Sequence, residues 1–255
     1  MTPEAGVSGS ELKVVCAFVG YPRSGHSLVG ALLDAHPDVV IAHQVDLLRL
    51  ASEGLGRDEL VATLVGDSSR RAEEGRRQGR YSYAVEGQWQ GRVRDLLVIG
   101  DANAGKSSKR LARDPSAAGQ ATRVLGAPLR LVHVVRNPYD NIATLSQRPE
   151  HTTARAIETY DTLAGIAARL IERGGPPVLT LRHESLVEAP QRELARLCAY
   201  LGVEPDADYL DACAAVVFPS PRRTRDEVSW TGDEPASVQA MIGRYPFLQG
   251  YSFET

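Results

Sequence analysis

Residues 14–27 read Val14-Val15-Cys16-Ala17-Phe18-Val19-Gly20-Tyr21-Pro22-Arg23-Ser24-Gly25-His26-Ser27. The apolar, β-branched run is typical of a buried strand, and the Gly/Pro turn is followed by a helical pattern that begins at Leu28. This order of strand, tight loop and helix N-terminus points backbone N–H groups and the positive helix end at one spot, which favours anion binding. Gly20–Ser27 fits the phosphate-loop pattern GxxxxGx(S/T), except that His26 stands where a phosphate-binding lysine is expected. The fixed cation of this loop is Arg23 instead.

The fold class follows from the alternation of apolar and amphipathic segments. Buried strands are predicted at Val14–Val19, Asp95–Ile99, Leu129–Val135 and Val178–Leu181. Helices are clearest over Leu28–Ala35, Asp58–Val65, Thr153–Arg173, Gln191–Leu201, Ala207–Val217 and Ala236–Arg244. This order predicts an α/β fold, a single-domain, P-loop-like three-layer sandwich with a central, mostly parallel sheet. Because ligands bind at the carboxyl ends of such strands, we expect the loops after the four strands to surround one cleft.

Composition narrows the class of protein. The chain has 255 residues, a formal net charge of −3 and 43% apolar residues, which is typical of a globular protein and argues against wholesale nucleic-acid binding. The three cysteines lie far apart in apolar runs, which favours reduced core thiols and a reducing compartment. The N-terminus has no basic segment followed by an apolar run, and no window approaches the roughly 18 apolar residues of a membrane span. We therefore expect a cytoplasmic protein without a membrane partner.

Two stretches lie outside the strand and helix patterns. Residues 1–11 are small and polar, which predicts a disordered tail before a domain that covers residues 12–255. Residues 67–80 are charged and interrupted by glycine, which predicts an exposed connection or a lid.

A second segment competes with the first as a phosphate loop. Gly100–Ser107 matches GxxxxGK(S/T) at every letter, which alone would predict a nucleotide kinase or ATPase that works through Lys106. Triphosphate loops, however, work with a Mg²⁺-binding Asp at the end of another strand, whereas the later strands end at Arg136 and Arg182. The helix predicted after Lys106 has little apolar surface with which to dock, and the motif is short enough to arise by chance.

A third segment adds a second anion site. The strand Leu129–Val135 runs into Arg136-Asn137-Pro138-Tyr139-Asp140, where Pro138 suits the first turn of a helix. Thr144 lies two turns along that helix. An arginine at a strand end and a hydroxyl on the next helix can clamp an anion beside the first loop; a surface arginine and an ordinary helical threonine would give the same pattern.

Together these segments resemble the sulfotransferase family that uses 3′-phosphoadenosine 5′-phosphosulfate (PAPS). Tyr21–Ser27 resembles the family's 5′-phosphosulfate loop, although His26-Ser27 replaces the common Thr-Thr. Arg136–Asp140 with Thr144 resembles its 3′-phosphate motif. Three further segments resemble the family in the expected order: Leu32–Asp38 after the loop, Leu181–Leu186 with His183 for the usual Tyr of the R-Y-E-x-L strand end, and Ser220–Trp230 as the late basic loop.

The resemblance implies an enzyme that moves a sulfuryl group from PAPS, its co-substrate, to an acceptor by in-line, metal-independent transfer. It implies that Arg23 stabilises the charge that grows on the bridging oxygen. The residues implied for the 5′-phosphate are Ser24, Gly25, His26 and Ser27, with Arg23, and those for the 3′-phosphate are Arg136, Thr144, Arg222 and Arg223.

An acceptor hydroxyl needs a base, and a pKa near neutrality favours histidine. His43 follows the short apolar run Val39–Ile41, so a strand end would present it at the cleft, and its place also resembles the region that supplies a catalytic Glu in the tyrosylprotein branch. Asp101, at the tip of the next strand, is the second candidate. A surface or capping histidine is the alternative interpretation of His43.

The acceptor is a small molecule, a carbohydrate or a peptide, and the sequence does not choose among them. Two other classes of protein stay open. One is a P-loop kinase or ATPase that uses Gly100–Ser107, and the other is a non-catalytic nucleotide-binding protein that keeps the phosphate loop without a competent base.

Overall fold

The structure, a computed structural model, describes residues 11–79, 81–149 and 151–255. The predicted tail therefore lies outside the described residues, apart from Glu11. The strands are β1 (Val14–Gly20), β2 (Val39–Ala42), β3 (Arg77–Gln78), β4 (Tyr81–Ser82), β5 (Val98–Asp101), β6 (Leu129–Val135) and β7 (Val178–Arg182). The α-helices are α1 (His26–Leu33), α2 (Leu47–Ser52), α3 (Arg57–Glu73), α4 (Ala104–Arg113), α5 (Ser116–Leu125), α6 (Pro138–Ser146), α7 (Thr153–Glu172), α8 (His183–Glu188), α9 (Pro190–Leu201), α10 (Ala207–Val216) and α11 (Glu234–Arg244).

Five strands form one parallel sheet in the order β2-β5-β1-β6-β7, and β3 and β4 form a separate two-stranded antiparallel ribbon. Alternate residues of β1 serve opposite faces of the sheet. Val14, Cys16 and Phe18 pack with α1, α9 and α10, while Val15, Ala17 and Val19 pack with α2, α3 and α5. The predicted α/β fold with helices on both faces of a parallel sheet is confirmed.

Residues 67–80, which were predicted to form an exposed connection or a lid, contain more regular structure than expected. Residues 67–73 continue α3, and both Ser68 and Arg76 are buried. Both residues contact Asp34: Ser68 Oγ lies 2.9 Å from each of its carboxylate oxygens and shares one proton between them, and Arg76 forms an ion pair with it. Only Ser68 and Arg76 of residues 67–79 are buried, and the other charged side chains are exposed or half-buried, as predicted. Arg80 lies outside the described residues. The stretch differs from the prediction in that it ends a helix and begins the ribbon.

The sheet register brings the loops of interest to one edge. Gly20 at the end of β1 lies beside Val134, and Val135 lies beside Arg182. The loop after β1, the residue Arg136 and the start of α8 are therefore neighbours. The chain leaves β1 toward β2 on one side of the sheet and later enters β6 on the other, which makes the carboxyl end of β1 a topological switch point, where ligands bind in such sheets.

The three cysteines are buried and free, as predicted. Among the described residues, the helices are too short or too polar to cross a membrane.

Candidate functional site

The loop Tyr21–Gly25 connects β1 to α1 and forms an anion-binding turn. Gly25, which caps α1, has a left-handed backbone with φ of 97°, and a Cβ at this position would lie 3.2 Å from Nδ1 of His183. Because α1 begins at His26, the first N–H groups of the helix have no acceptor within it. These N–H groups and the helix dipole converge on the cleft in front of the loop.

Asn141, on α6, holds this loop in place. Its buried side-chain amide donates to the carbonyl of Pro22 (3.0 Å) and accepts from the N–H of Ser24 (3.2 Å). Ser24 Oγ donates to the carbonyl of Tyr21 (3.1 Å), which closes the turn on itself. The loop is therefore preorganised before any ligand binds. The sequence interpretation missed Asn141, because an asparagine inside a predicted helix carries no signal for a contact with a distant loop.

Arg136 forms the second cationic group of the site. Its guanidinium donates to Oγ1 of Thr144 (3.2 Å), to Oγ1 of Thr224 (3.0 Å) and to the carbonyl of Arg222 (2.5 Å). The two threonine hydroxyls are also hydrogen bonded to each other at 3.1 Å. Burial lowers the pKa of Arg136, which remains a cation at every physiological pH. Thr224, absent from the sequence-based site, thus joins the predicted pair of Arg136 and Thr144.

The late basic loop docks on this motif through a residue that the sequence interpretation also missed. Arg225 is 3% exposed, and its side chain binds both carboxylate oxygens of Asp140 at 3.0 and 2.6 Å. Arg223, which was predicted to bind the cofactor, instead pairs with Asp226 (3.1 Å) and donates to the carbonyls of Phe253 and Glu254. Arg223 does not line the cleft, because these partners hold its guanidinium toward the end of the chain.

A cavity of about 620 Å³ lies between these loops. Its volume is within the range of about 300–1,000 Å³ that is typical of ligand sites. Among the described residues, its lining contains no Asp or Glu. Its cationic side chains are Arg23, Arg136, Arg148 and Arg222, and its aromatic side chains include Tyr81, Tyr83 and Phe218.

Arg23 and Arg148 are exposed and lack ion pairs with the described residues. Burial, followed by the charge of Arg148, lowers the pKa of Arg23. The backbone of Arg23 is left-handed, with φ of 68°, so the turn itself fixes where the side chain leaves the loop. Arg222, by contrast, is neutralised in part by Glu227, which accepts from its guanidinium at 2.8 and 2.6 Å.

Two polar atoms on the cleft are buried without a hydrogen-bond partner. They are Nε of Arg136 and Nδ1 of His183. A buried polar group without a partner is costly, so both atoms indicate that the lining is built to contact a polar ligand. Donors that surround a cleft without carboxylates, together with the helix N-terminus, fit a nucleotide with phosphates at two positions. No group of His, Cys, Asp and Glu that could hold a metal ion occurs in the described part of the chain.

His43 lies beside the main cleft rather than in it. It lines a small pocket, about 20 Å³, that shares Ser27, Gln78 and Tyr83 with the large cavity. Burial, and then the charge of Arg71, lowers the pKa of His43 to about 4, so the ring is neutral near pH 7. A neutral imidazole has one nitrogen lone pair that can accept a proton, and Gln78, which is hydrogen bonded to the ring, also lines the cleft.

Asp101, the second candidate base, binds backbone groups at the start of α2 instead of facing the cleft. Its carboxylate accepts from the backbone N–H groups of Val45 (3.1 Å), Asp46 (2.7 Å) and Leu47 (3.2 Å). Asp101 is the last residue of β5, is 1% exposed and lies outside the cleft lining. Burial raises its pKa to about 6 despite these bonds. The geometry therefore assigns Asp101 to the start of α2, and the prediction that it acts as a base has no support.

The competing phosphate-loop motif has the wrong geometry for a triphosphate. Gly100 lies within β5, where a Cβ would lie 2.4 Å from the carbonyl oxygen of Cys16. Only Ala102 and Asn103 separate β5 from α4, and Lys106 is already inside that helix. A two-residue connection is too short to wrap around phosphates. Helix α4 nevertheless docks on the rest of the fold, contrary to the prediction: it packs mainly through small residues, and Ser108 Oγ accepts from the N–H of Gly20 at 2.8 Å.

Comparison with known proteins agrees with this geometry. A sequence model of the sulfotransferase family matches residues 17–208, most of the chain. The chain belongs to the sulfotransferase family. The predicted family resemblance is thus confirmed. Nodulation protein NoeE of Sinorhizobium fredii is 29% identical over 234 residues, which cover 77% of this chain and 52% of that protein. This sulfotransferase-family chain spans about half the length of the curated relative it matches.

Two solved sulfotransferase structures share the fold. The sulfotransferase domain of the olefin synthase from Synechococcus PCC 7002 has a TM-score of 0.54 and 17% identity, and the match covers 92% of this chain and 94% of that chain. A sulfotransferase from Mycobacterium avium has a TM-score of 0.52 and 12% identity, with 92% of this chain and 76% of that chain covered.

Proposed function

We propose that this sulfotransferase-family chain is an enzyme that transfers a sulfuryl group from PAPS to an acceptor hydroxyl without a metal ion. One observation carries the proposal: a helix N-terminus with Arg23 and a separate cluster of Arg136, Thr144 and Thr224 line the same cavity. A nucleotide with anionic groups at both its 5′ and 3′ positions would satisfy both, whereas an ordinary nucleoside triphosphate would leave the second cluster empty.

We assign the 5′ side of the cofactor to the turn and α1. The N–H groups at the start of α1 and the hydroxyl of Ser27 would bind the 5′-phosphate, and Arg23 would extend over the bridging oxygen. When bound, PAPS would supply a sulfuryl group attached to a phosphate leaving group. Arg23 is suited to stabilise the negative charge of that leaving group, because it is a permanent cation and the described lining of the cleft contains no competing carboxylate.

We assign the 3′-phosphate to Arg136, Thr144 and Thr224. The adenine ring of the cofactor is assigned to the apolar part of the lining. Leu28, Val187 and Phe218 offer flat or aliphatic surface between the two anion sites, and His183 borders them. Arg222 reaches the same cavity while its carbonyl holds Arg136. These contacts distinguish PAPS from its analogues that lack the 3′-phosphate.

The acceptor is assigned to the side of the cleft lined by the ribbon. Tyr81 and Tyr83 lie parallel, with ring centroids 6.3 Å apart, and Gln44 and Gln78 add polar groups. His43 is the proposed base, because it is neutral and shares the walls formed by Gln78 and Tyr83 with the cleft. It would take the proton of the acceptor hydroxyl as the new oxygen–sulfur bond forms and the bond to the bridging oxygen breaks.

Two measurements test the proposal. Calorimetry should give a dissociation constant for adenosine 3′,5′-bisphosphate at least about tenfold below that for ATP or 5′-AMP. Transfer of radiolabelled sulfate from PAPS to a panel of hydroxyl acceptors should persist in EDTA. ATP hydrolysis that requires Mg²⁺ and fails in EDTA would overturn the proposal. Tight nucleotide binding without transfer to any acceptor class would favour a binding protein.

A further inference from the structure

The imidazole of His26 lies at the point where the anion-binding turn meets the cleft. His26 is the first residue of α1, its side chain is 7% exposed, and it lines the large cavity. Its backbone N–H belongs to the turn, so an anion held there also lies close to the ring. The ring is thus a second polar group that the same residue presents to the same ligand.

The neighbouring hydrogen bonds define the neutral form of this ring. Ser24 Oγ donates its only proton to the carbonyl of Tyr21 (3.1 Å) and lies 3.5 Å from Nδ1 of His26. Oγ can therefore only accept from Nδ1, which must carry the ring proton. The carbonyl of Tyr21 is also hydrogen bonded to the ring and, as an acceptor, needs the same N–H, so Nε2 carries the lone pair of the neutral ring. A lone pair beside a bound phosphate is repelled, whereas a protonated Nε2 becomes a donor to it.

Burial is the main reason that the ring stays neutral while the cleft holds no anion. Burial first, then His43 beside β2 and Arg23 in the turn, lowers the pKa of His26 to about 4, opposed only by the carbonyl of Tyr21. His183 on α8 and Arg136 after β6 face the same cleft, and its described lining has no carboxylate. An incoming phosphate would therefore bring to the ring a negative charge that the described lining lacks.

We propose that His26 binds the 5′-phosphate as an imidazolium and takes up a proton from solvent when adenosine 3′,5′-bisphosphate or PAPS enters the cleft. The inference rests on the proposed function, because it assumes that a 5′-phosphate occupies this turn. Protonation turns a repulsive contact into a charge-assisted hydrogen bond and adds a titratable cation to the permanent one of Arg23. His26 is therefore a positioning residue whose charge depends on the ligand.

The sign of the linkage follows from the two states. Binding of the 5′-phosphate raises the pKa of the His26 imidazole. The protein therefore takes up a proton on binding at any pH between the pKa of the free protein and that of the complex. Within that window, affinity should rise by up to about tenfold for each unit that the pH falls. A residue without a titratable ring at position 26 should remove the pH dependence of the affinity that His26 contributes. Only the pH dependence from the ligand's own phosphates should then remain.

Calorimetry with adenosine 3′,5′-bisphosphate at pH 7, in buffers of different ionisation enthalpy, measures the proton uptake directly. The proteins compared are the wild type, His26→Gln, which retains a polar amide, and His43→Gln, which removes the adjacent imidazole. We expect the wild type to take up about half a proton to one proton more than His26→Gln, and His43→Gln to behave as the wild type does. The ligand's own titration cancels in this difference.

Equal proton uptake in the wild type and His26→Gln would overturn the inference, as would loss of the uptake in His43→Gln alone. Nitrogen NMR of the imidazoles in the wild-type protein, with and without the ligand, gives the same answer if His26→Gln fails to fold: an Nε2 signal of His26 that stays unprotonated in the complex contradicts the inference. Absence of any binding would remove the proposed function as well, whereas tight binding with equal uptake removes the inference alone.

Discussion

Replacement of Arg136 by Gln should remove most of the discrimination between adenosine 3′,5′-bisphosphate and 5′-AMP. A guanidinium has five N–H donors. In Arg136, three are used internally by Thr144, Thr224 and the carbonyl of Arg222. Two remain for a ligand, and one of them is the buried Nε that has no partner.

The magnitude follows from these free donors. A charge-assisted hydrogen bond contributes about 1.5–3 kcal/mol, so one bond to the 3′-phosphate corresponds to roughly 10- to 150-fold in affinity, and two to more than about 100-fold. The affinity for 5′-AMP should change by less than about threefold, because that ligand has no group at this site. The Thr144 and Thr224 hydroxyls remain hydrogen bonded to each other in the variant, so we expect it to fold.

The assay is calorimetry with both ligands on the wild type, Arg136→Gln and Arg223→Gln. Arg223 is the matched control, because it belongs to the late loop that contacts Arg136 but points to the carbonyls of Phe253 and Glu254. Thermal unfolding of each variant reports whether the fold is intact. A folded Arg136→Gln protein with the wild-type ratio of the two dissociation constants would refute the assignment, and an equal loss in Arg223→Gln would show an effect of loop disorder rather than of phosphate recognition.

Three further substitutions test the rest of the proposed site. Arg23→Ala should lower turnover by about 10²-fold or more, as expected for loss of a group that stabilises the leaving oxygen, and wild-type turnover in the folded variant would exclude this role. His43→Gln should reduce the rate of sulfate transfer by about 10²- to 10⁴-fold while nucleotide affinity stays constant; a collapse of nucleotide binding would make His43 structural. Lys106→Ala should leave the affinity for adenosine 3′,5′-bisphosphate within about a factor of ten, because Lys106 lies inside α4 and outside the cleft lining. If the wild type showed an EDTA-sensitive ATP hydrolysis that this variant lost, the protein would be a kinase or ATPase instead.

The sheet was predictable because its strands are buried on both faces and therefore read as continuous apolar runs. The runs that predicted β1, β6 and β7 match the observed strands within one residue. The run Asp95–Ile99 began three residues too early, because Leu96 and Leu97 are apolar in a connection that precedes β5. The continuation of α3 was hidden by its charged residues, such as Asp67 and Arg70, and its buried Ser68 contacts Asp34, which lies far away in sequence.

The site was predictable only where local sequence determines local geometry. A strand followed by a Gly/Pro turn and a helix identifies Arg23 and the anion-binding turn, and Arg136 followed by Pro138 identifies a strand end and a helix start. Asn141, Thr224 and Arg225 were missed, because each acts through a contact with a segment that is distant along the chain.

The distribution of carboxylates explains how a chain with net charge −3 builds a cationic cleft. Near the site, Asp140 is turned away from the cavity and paired with Arg225, and Asp34 is paired with Arg76 beneath the neighbouring pocket. Each buried carboxylate thereby fixes a loop and is withdrawn from the lining. The cations that stay on the cleft repel one another, and removing one partner of these buried pairs would leave an uncompensated charge next to the ligand site. Asp140 and Asp34 thus contribute to anion binding because they lie outside the lining of the cavity and hold the neighbouring segments in place.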